Sequence, residues 1–347
     1  MRILLFASLL LLINVRAFSQ APPVTTSADI YLQLKKLQVL GSVLYVAAHP
    51  DDENTRLLAW LSKEKLFRTG YLSITRGDGG QNLIGDEQGI DLGLIRTQEL
   101  LSARRTDGAE QFFTRAFDFG FSKSTSEAFA KWNKEKILGD VVWMIRKFQP
   151  DVIIARFPED ARAGHGHHSG SAVLAHEAFS AAADPNKYPE QFAFGVQPWQ
   201  AKRVVWNTFN FGTTNTTSED QLKVDVGGYN PVLGKSYGEI AAESRSQHKS
   251  QGFGVPASRG AAFEYFVTIQ GVPAKLDLMD DVVTSWARIP GGEAISKQVD
   301  ELIRSYSLSN PEASVPALVK LAKSIKSLPD GNWKKKKLIE VQQLIEV

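Results

Sequence analysis

Residues 43–46, Val-Leu-Tyr-Val, form an apolar, β-branched-rich run behind Gly41, and a run of this kind reads as a buried strand. The apolar character stops at Ala48. His49, Pro50, Asp51, Asp52 and Glu53 follow without a gap, and Leu57, Leu58, Leu61 and Leu66 then mark an amphipathic helix. An imidazole and three carboxylates are thus placed between a strand and a helix start. In an open α/β sheet, ligands bind outside the carboxyl ends of strands. Acidic residues at a helix start also complement its dipole, and that alternative accounts for Asp52 or Glu53 singly. It does not account for His49 and Pro50 directly after a buried strand.

His and Asp are good ligands for a divalent metal, and a catalytic zinc keeps three protein ligands and one open position. A second histidine cluster supports the metal reading. Residues 152–155 form another apolar strand, and after it come His165, Gly166, His167 and His168, three of the chain's six histidines. They precede a small-residue helix beginning at Ser169 or Ser171, so both clusters fall at strand-to-helix junctions. His176 lies inside that helix and reads as structural.

The remaining pattern is consistent with alternating strands and helices. Strands are expected at 71–75, 203–207 and 263–269. Helices are expected at 91–107, with Leu94, Ile95 and Leu101 on the buried side, at 127–148 as one long element, and at 236–248. This β–α–β rhythm implies a largely parallel sheet with right-handed crossovers. The glycines at 77, 79 and 80 follow a strand but lack dinucleotide-binding spacing. They read as allowing close backbone approach at a site rim. From residue 293 the pattern becomes helical, and Lys334–Lys337 reads as a solvated face. The abrupt end at Val347 raises the expectation of a longer natural chain.

The length of 347 residues suffices for one large or two modest domains, and a net charge of +2 without a basic stripe does not imply a nucleic-acid partner. Residues 1–19 have a basic start, an apolar stretch too short to span comfortably, and small residues Ala17 and Ser19 at a cleavage site. They read as a secretory signal peptide, with an uncleaved anchor as the alternative. No cysteine is present, which closes the lipoprotein and disulfide routes. A bacterial periplasm or extracellular space is the expected location, with no stable membrane insertion after cleavage.

With both clusters in view, the chain resembles the PIG-L (LmbE-like) zinc-dependent N-acetylglucosaminyl deacetylases over about residues 42–269. The carriers are Ala48-His49-Pro50-Asp51-Asp52-Glu53, Arg96 with Glu99, Asp118-Phe119-Gly120, the cluster 165–168, and His248 with Ser250-Gln251. The resemblance implies an α/β fold, a Rossmann-like and mostly parallel sheet with helices on both faces; the C-terminal helical segment lies outside it. Taken with the composition and spacing read above, the expected divisions are signal peptide 1–19, lead-in 20–41, deacetylase domain 42–290 and helical segment 291–347. By the same resemblance His49, Asp52 and His168 bind Zn2+, Asp51 is the general base, and His165 stabilises the oxyanion and helps protonate the leaving amine. Arg96 and Asp118 are expected to hold the sugar, and His248 to support the site. The family often has an acidic residue where His167 stands. That departure bears on how His165 is tuned and on whether His167 or His168 is the ligand.

The implied activity is removal of acetyl from an N-acetylated amino sugar or glycoconjugate, releasing acetate and a free amine. A His₂Asp site also accepts iron or cobalt. The competing class is a non-catalytic, metal-stabilised carbohydrate-binding module of a larger cell-surface protein. Asp51, which the metal does not need as a ligand, argues for catalysis. A Ser-His-Asp hydrolase is disfavoured because no GxSxG elbow is present.

Overall fold

Every residue of Ser42–Ala47 (β1) is buried. Val43 and Tyr45 enter one core while Leu44 and Val46 enter the other, because successive strand side chains point to opposite faces. A strand apolar on both faces is stable only in the middle of a covered sheet. The structure, a computed structural model, describes residues 25–252 and 254–347, so the signal-peptide reading lies outside the described residues.

On one side β1 pairs in parallel with Arg68–Ser73 (β2), which pairs with Glu110–Phe113 (β3). On the other side it pairs with Val152–Ala155 (β4), and β4 pairs with Arg203–Thr208 (β5), again in parallel. Leu222–Asp225 (β6) and Phe263–Gly271 (β7) complete the sheet antiparallel, with β7 between β5 and β6. The order is β3-β2-β1-β4-β5-β7-β6. The chain moves outward from β1 to β3 and then returns past β1 to β4. The connections after β1 and β4 therefore diverge, leaving a crevice at their carboxyl ends.

Besides Ser27–Lys36 (α1), which packs elsewhere, six helices cover the sheet. Thr55–Ala59 (α2) and Ile90–Asp107 (α3) lie on one face, contributing Leu57, Leu58 and Leu100 to its core. On the opposite face Thr125–Trp132 (α4), Lys134–Phe148 (α5) and Gly166–Ala183 (α6) bury Trp132, Val141, Ile145 and Leu174. Tyr237–Arg245 (α7) returns to the first face through Ile240. Each such buried aliphatic side chain contributes roughly 1.5–3 kcal/mol relative to exposure.

Four expectations are corrected. The helix expected over 127–148 is two helices, because Asn133 takes a left-handed conformation with φ 59° and its side chain accepts from Lys136 N–H, restarting the helix. The helix after β4 begins at Gly166, so His167 and His168 stand in its first turn. Helix α3 is rotated from the expected face: Leu94 is 60% exposed, while Arg96, Glu99 and Arg104 are buried. Hydrophobic spacing fails there because the buried face is a network of charges. Lys337 is fully buried rather than solvated, donating to Lys36 O at 2.8 Å and Glu340 Oε2 at 2.6 Å.

A third core lies apart from the sheet. Helix α1 supplies Leu34, and Leu37 follows it, against Val299 of Gly292–Ser305 (α8), Leu321 of Val315–Lys326 (α9) and Leu344 of Asn332–Glu346 (α10). The lead-in segment thus packs with the C-terminal helices. Trp286 Nε1 donates to Leu37 O at 3.0 Å, and Arg288 Nη2 bonds Asp151 Oδ1 at 2.6 Å, tying this layer to the base of β4. Among the described residues no helix is long and apolar enough to cross a membrane.

Candidate active site

The end of β1 delivers His49 into the crevice, and the following turn is held by several independent contacts. Asp52 Oδ2 accepts from His49 N–H at 2.7 Å, and Tyr71 Oη donates to His49 O. Asp51 has φ 101°, a conformation that L side chains rarely adopt. Its N–H donates to Glu53 Oε2 at 2.9 Å, and Arg245 Nη1 donates to its carbonyl oxygen. Arg96 Nη2 and Gln251 Nε2 donate to Pro50 O at 3.3 and 3.2 Å. Strain of this kind persists only where the surroundings over-determine it, and here four side chains do so.

His168 Nδ1 lies 2.7 Å from Ala163 O. That bond requires the proton on Nδ1, which leaves the Nε2 lone pair facing Asp52 Oδ1 at 3.3 Å. The other Asp52 oxygen is 3.1 Å from His49 Nδ1. Each Asp52 oxygen therefore faces an imidazole nitrogen, an arrangement that suits a cation. These donors fit a divalent metal of the zinc type. Phe157 stacks on the His168 ring at 3.7 Å with the planes 6° apart, fixing its orientation. Burial opposes a charge on Asp52, but the His168 and His49 rings outweigh it and hold the carboxyl well below the usual range.

Asp51 stands beside this group. Burial and the adjacent Asp52 charge raise it to about 6, against the opposing pull of Arg96 and Arg245, each with a nitrogen 3.9 Å from Asp51 Oδ2. His165 packs over His168 with ring centroids 3.8 Å apart. The ligand nitrogens of His49, His165 and His168 all lie within 4.8 Å of one another. Burial, then the neighbouring His168 and His49, push His165 down to about 3, so its ring is neutral at rest.

Arg96 and Asp118 line the same cleft of about 460 Å³, together with Gly79, Gly80 and Phe121. The structure thus brings together all seven side chains singled out from the sequence. Arg96 is bound on both sides, donating to Gly77 O at 2.9 Å as well as to Pro50. A Cβ on Gly80 would come within 2.1 Å of Arg96 Nη1, and one on Gly79 within 2.4 Å of Asp118 O. The glycines allow close approach at the rim.

His167 is fully buried, and its Nδ1 lies 3.0 Å from His49 Nε2. It stacks on Trp132 at 4.6 Å and meets Phe119 edge-on at 4.3 Å. The substitution at this position therefore bears on His49 directly, whereas the His165 ring centroid is 5.5 Å away. Its Nδ1 is also within 3.7 Å of Asp118 Oδ1, so His49, Asp118 and His167 form a second, fully buried group of possible ligands.

Sequence reasoning missed the roles of Glu53, Arg104 and Arg245. Glu53 Oε1 meets Arg104 Nη2 at 3.1 Å and His248 Nε2 at 2.7 Å. Burial would raise Glu53, yet His248 and Arg104 bring it down to about 2. His248 is buried behind the turn, against Glu53. Ser250 N–H and Oγ each donate to Glu99 at 2.6 Å, fastening this late segment to α3. The available signal was the i, i+3, i+8 spacing of Arg96, Glu99 and Arg104 on one helix, but charge at such positions is read as solvated unless partners are known.

The family described as PIG-L, GlcNAc-PI de-N-acetylase, matches residues 44–179. A mycothiol S-conjugate amidase of Streptomyces coelicolor is 29% identical over 170 residues, covering 45% of this chain; the chain spans only 58% of that protein's length. Among solved structures, N,N'-diacetylchitobiose deacetylase from Pyrococcus horikoshii in complex with its inhibitor has a TM-score of 0.45 and 19% identity, over 63% of this chain and 73% of that one. A deacetylase–teicoplanin complex has a TM-score of 0.40 and 12% identity, over 66% and 99%.

Proposed function

We propose metal-dependent hydrolysis of an amide, with an N-acetylated amino sugar or its glycoconjugate as substrate and acetate and a free amine as products, for a chain whose residues 44–179 match the PIG-L family. The observation that carries this reading is the convergence of His49, Asp52 and His168, with the Asp51 carboxylate held beside them but outside the ligand set. The Streptomyces coelicolor relative, an amidase by its name, is consistent with it.

His49, Asp52 and His168 would hold the ion, zinc or a similar divalent metal. When bound it supplies Lewis-acid polarisation of the acetyl carbonyl and acidifies water in the site. The chain's own groups divide the remaining work. Asp51, ionised near neutrality, takes a proton from the attacking water as the tetrahedral centre forms. Arg96 and Arg245 keep that carboxylate charged and aimed. Neutral His165 donates its N–H toward the oxygen that gains negative charge. The proton taken by Asp51 then returns to the departing nitrogen, because an amine does not leave as its anion. Arg96 and Asp118 line the cleft where the sugar would lie. A purely binding module has no use for a carboxylate held in a strained backbone conformation.

Export to a bacterial periplasm or the extracellular space is part of the proposal. It rests on the composition of residues 1–19. The test is elemental analysis together with acetate release from a panel of N-acetylated sugars, for wild type and Asp51→Asn. One equivalent of metal in both proteins, with acetate released only by wild type, is the expected result. A folded protein that takes up no added zinc, or an Asp51→Asn variant as active as wild type, overturns the reading.

A further inference from the structure

A second cleft, about 600 Å³, opens along the same sheet edge, over the ends of β4, β5 and β7. Its walls carry Arg56, Arg156 and Arg245 against two carboxylates, Glu53 and Glu264. Glu53 is already engaged by Arg104 and His248 behind the wall, and Glu264 Oε2 accepts from Asn207 Nδ2 at 2.9 Å. The arginines are less fully used. Arg56 Nη2 donates to Ser258 Oγ, but its buried Nε has no partner. The Arg156 guanidinium lies 5.2 Å over the Phe209 ring and enters no ion pair among the described residues. A guanidinium held on an aromatic face keeps its edge donors available, in a fork that suits an oxyanion.

This cleft is linked to the first through two side-chain contacts. Arg245 lines it and also donates to Asp51 O. Phe209 lines it and meets Phe157 edge-on at 6.4 Å, and Phe157 in turn stacks on His168. Phe209, Glu264 and Arg245 lie beyond residue 179, where the family match ends. Arg56 and Arg156 lie within the matched stretch.

We propose that this cleft is an anion subsite, in which Arg156, with Arg56, binds a carboxylate, sulfate or phosphate carried by the part of the substrate next to the N-acetyl sugar. The inference rests on the deacetylase reading for its substrate, and it narrows that substrate to acidic glycoconjugates. The apolar ring of Phe209 supports the guanidinium, and a bound anion supplies Arg156 with the direct ion-pair partner that it lacks among the described residues. An uncharged neighbour would leave that charge facing the substrate unpaired.

The experiment is isothermal titration of the zinc-loaded full chain with methyl β-D-glucuronide, glucose 6-sulfate and glucose 6-phosphate, with methyl β-D-glucoside as the neutral control. Binding of at least one anionic probe, weakened at least tenfold in Arg156→Gln and partly restored in Arg156→Lys, is expected. The thermal midpoint should be the same in all three proteins. The preferred probe identifies the anion. Anionic probes that bind no better than the glucoside, or bind Arg156→Gln as tightly as wild type, overturn the subsite. Acetate release from neutral N-acetylated sugars separates the two readings: Arg156-dependent binding without Asp51-dependent acetate from any substrate would sink the deacetylase and leave the subsite standing.

Discussion

Glu53→Gln should both destabilise the fold and misplace Asp51. Glu53 is fully enclosed, and its oxygens accept from Arg104 Nη2, His248 Nε2 and Asp51 N–H at 3.1, 2.7 and 2.9 Å. An amide of the same shape offers one acceptor and turns two donors toward groups that are themselves donors. Removing one member of a buried ion pair costs about 3–5 kcal/mol. Arg104 keeps Asp107 at 2.7 Å, so the lower end applies. For a chain of this size about 3 kcal/mol lowers Tm by roughly 4–5 °C. The loss of an anchor on Asp51 should also lower kcat, on the order of 10-fold or more, because small displacements of a reacting group are costly. Differential scanning calorimetry, with acetate release assayed well below the new Tm, measures both. A Tm within one degree of wild type together with an unchanged kcat would refute the argument that Glu53 fixes the turn.

Burial lowers Lys337 from 10.5 to about 8, with Glu340 opposing, and the difference corresponds to about 3 kcal/mol. Between these two values the unfolded chain holds a proton the folded chain has released, so the wild type should gain stability relative to Lys337→Met as pH rises from about 8 to 10.5. Urea unfolding of both proteins across that pH range measures the change; a flat difference sinks the reading. Gly79→Ala would set a methyl 2.4 Å from Asp118 O, and should cost about 1–3 kcal/mol while raising KM, read by thermal unfolding and steady-state kinetics. Chelation of the zinc-loaded protein should lower Tm by several degrees but leave the Tm of Asp52→Ala unmoved, since a metal stabilises only a fold that binds it. Equal responses in the two proteins would mean that Asp52 is not a ligand.

Much of the sheet was legible because its central strands are buried on both faces and so are apolar without interruption, as residues 43–46 and 152–155 show. The His49 and His165–His168 clusters were legible because metal-ligating side chains are rare directly after such strands. The charged face of α3 was not legible. Arg96, Glu99 and Arg104 pair with Pro50, Ser250 and Glu53, none of them near in sequence, and no local pattern distinguishes such charges from solvated ones. Lys337 misled for the same reason, its partner Lys36 O lying 301 residues away.

The sequence by itself determined the strand-to-loop junctions, the chemical types of the ligands and the alternation that makes a sheet. Local periodicity and side-chain chemistry are properties of a few neighbouring residues. Tertiary structure alone decided that His167 lies beneath His49, that Asp51 is clamped by Glu53 and Arg245, and that Arg156 faces an adjoining cleft. Those relations arise where β1, β4 and β5 bring distant segments to one edge, and a burial or pairing energy between distant residues leaves no mark on the sequence around either of them.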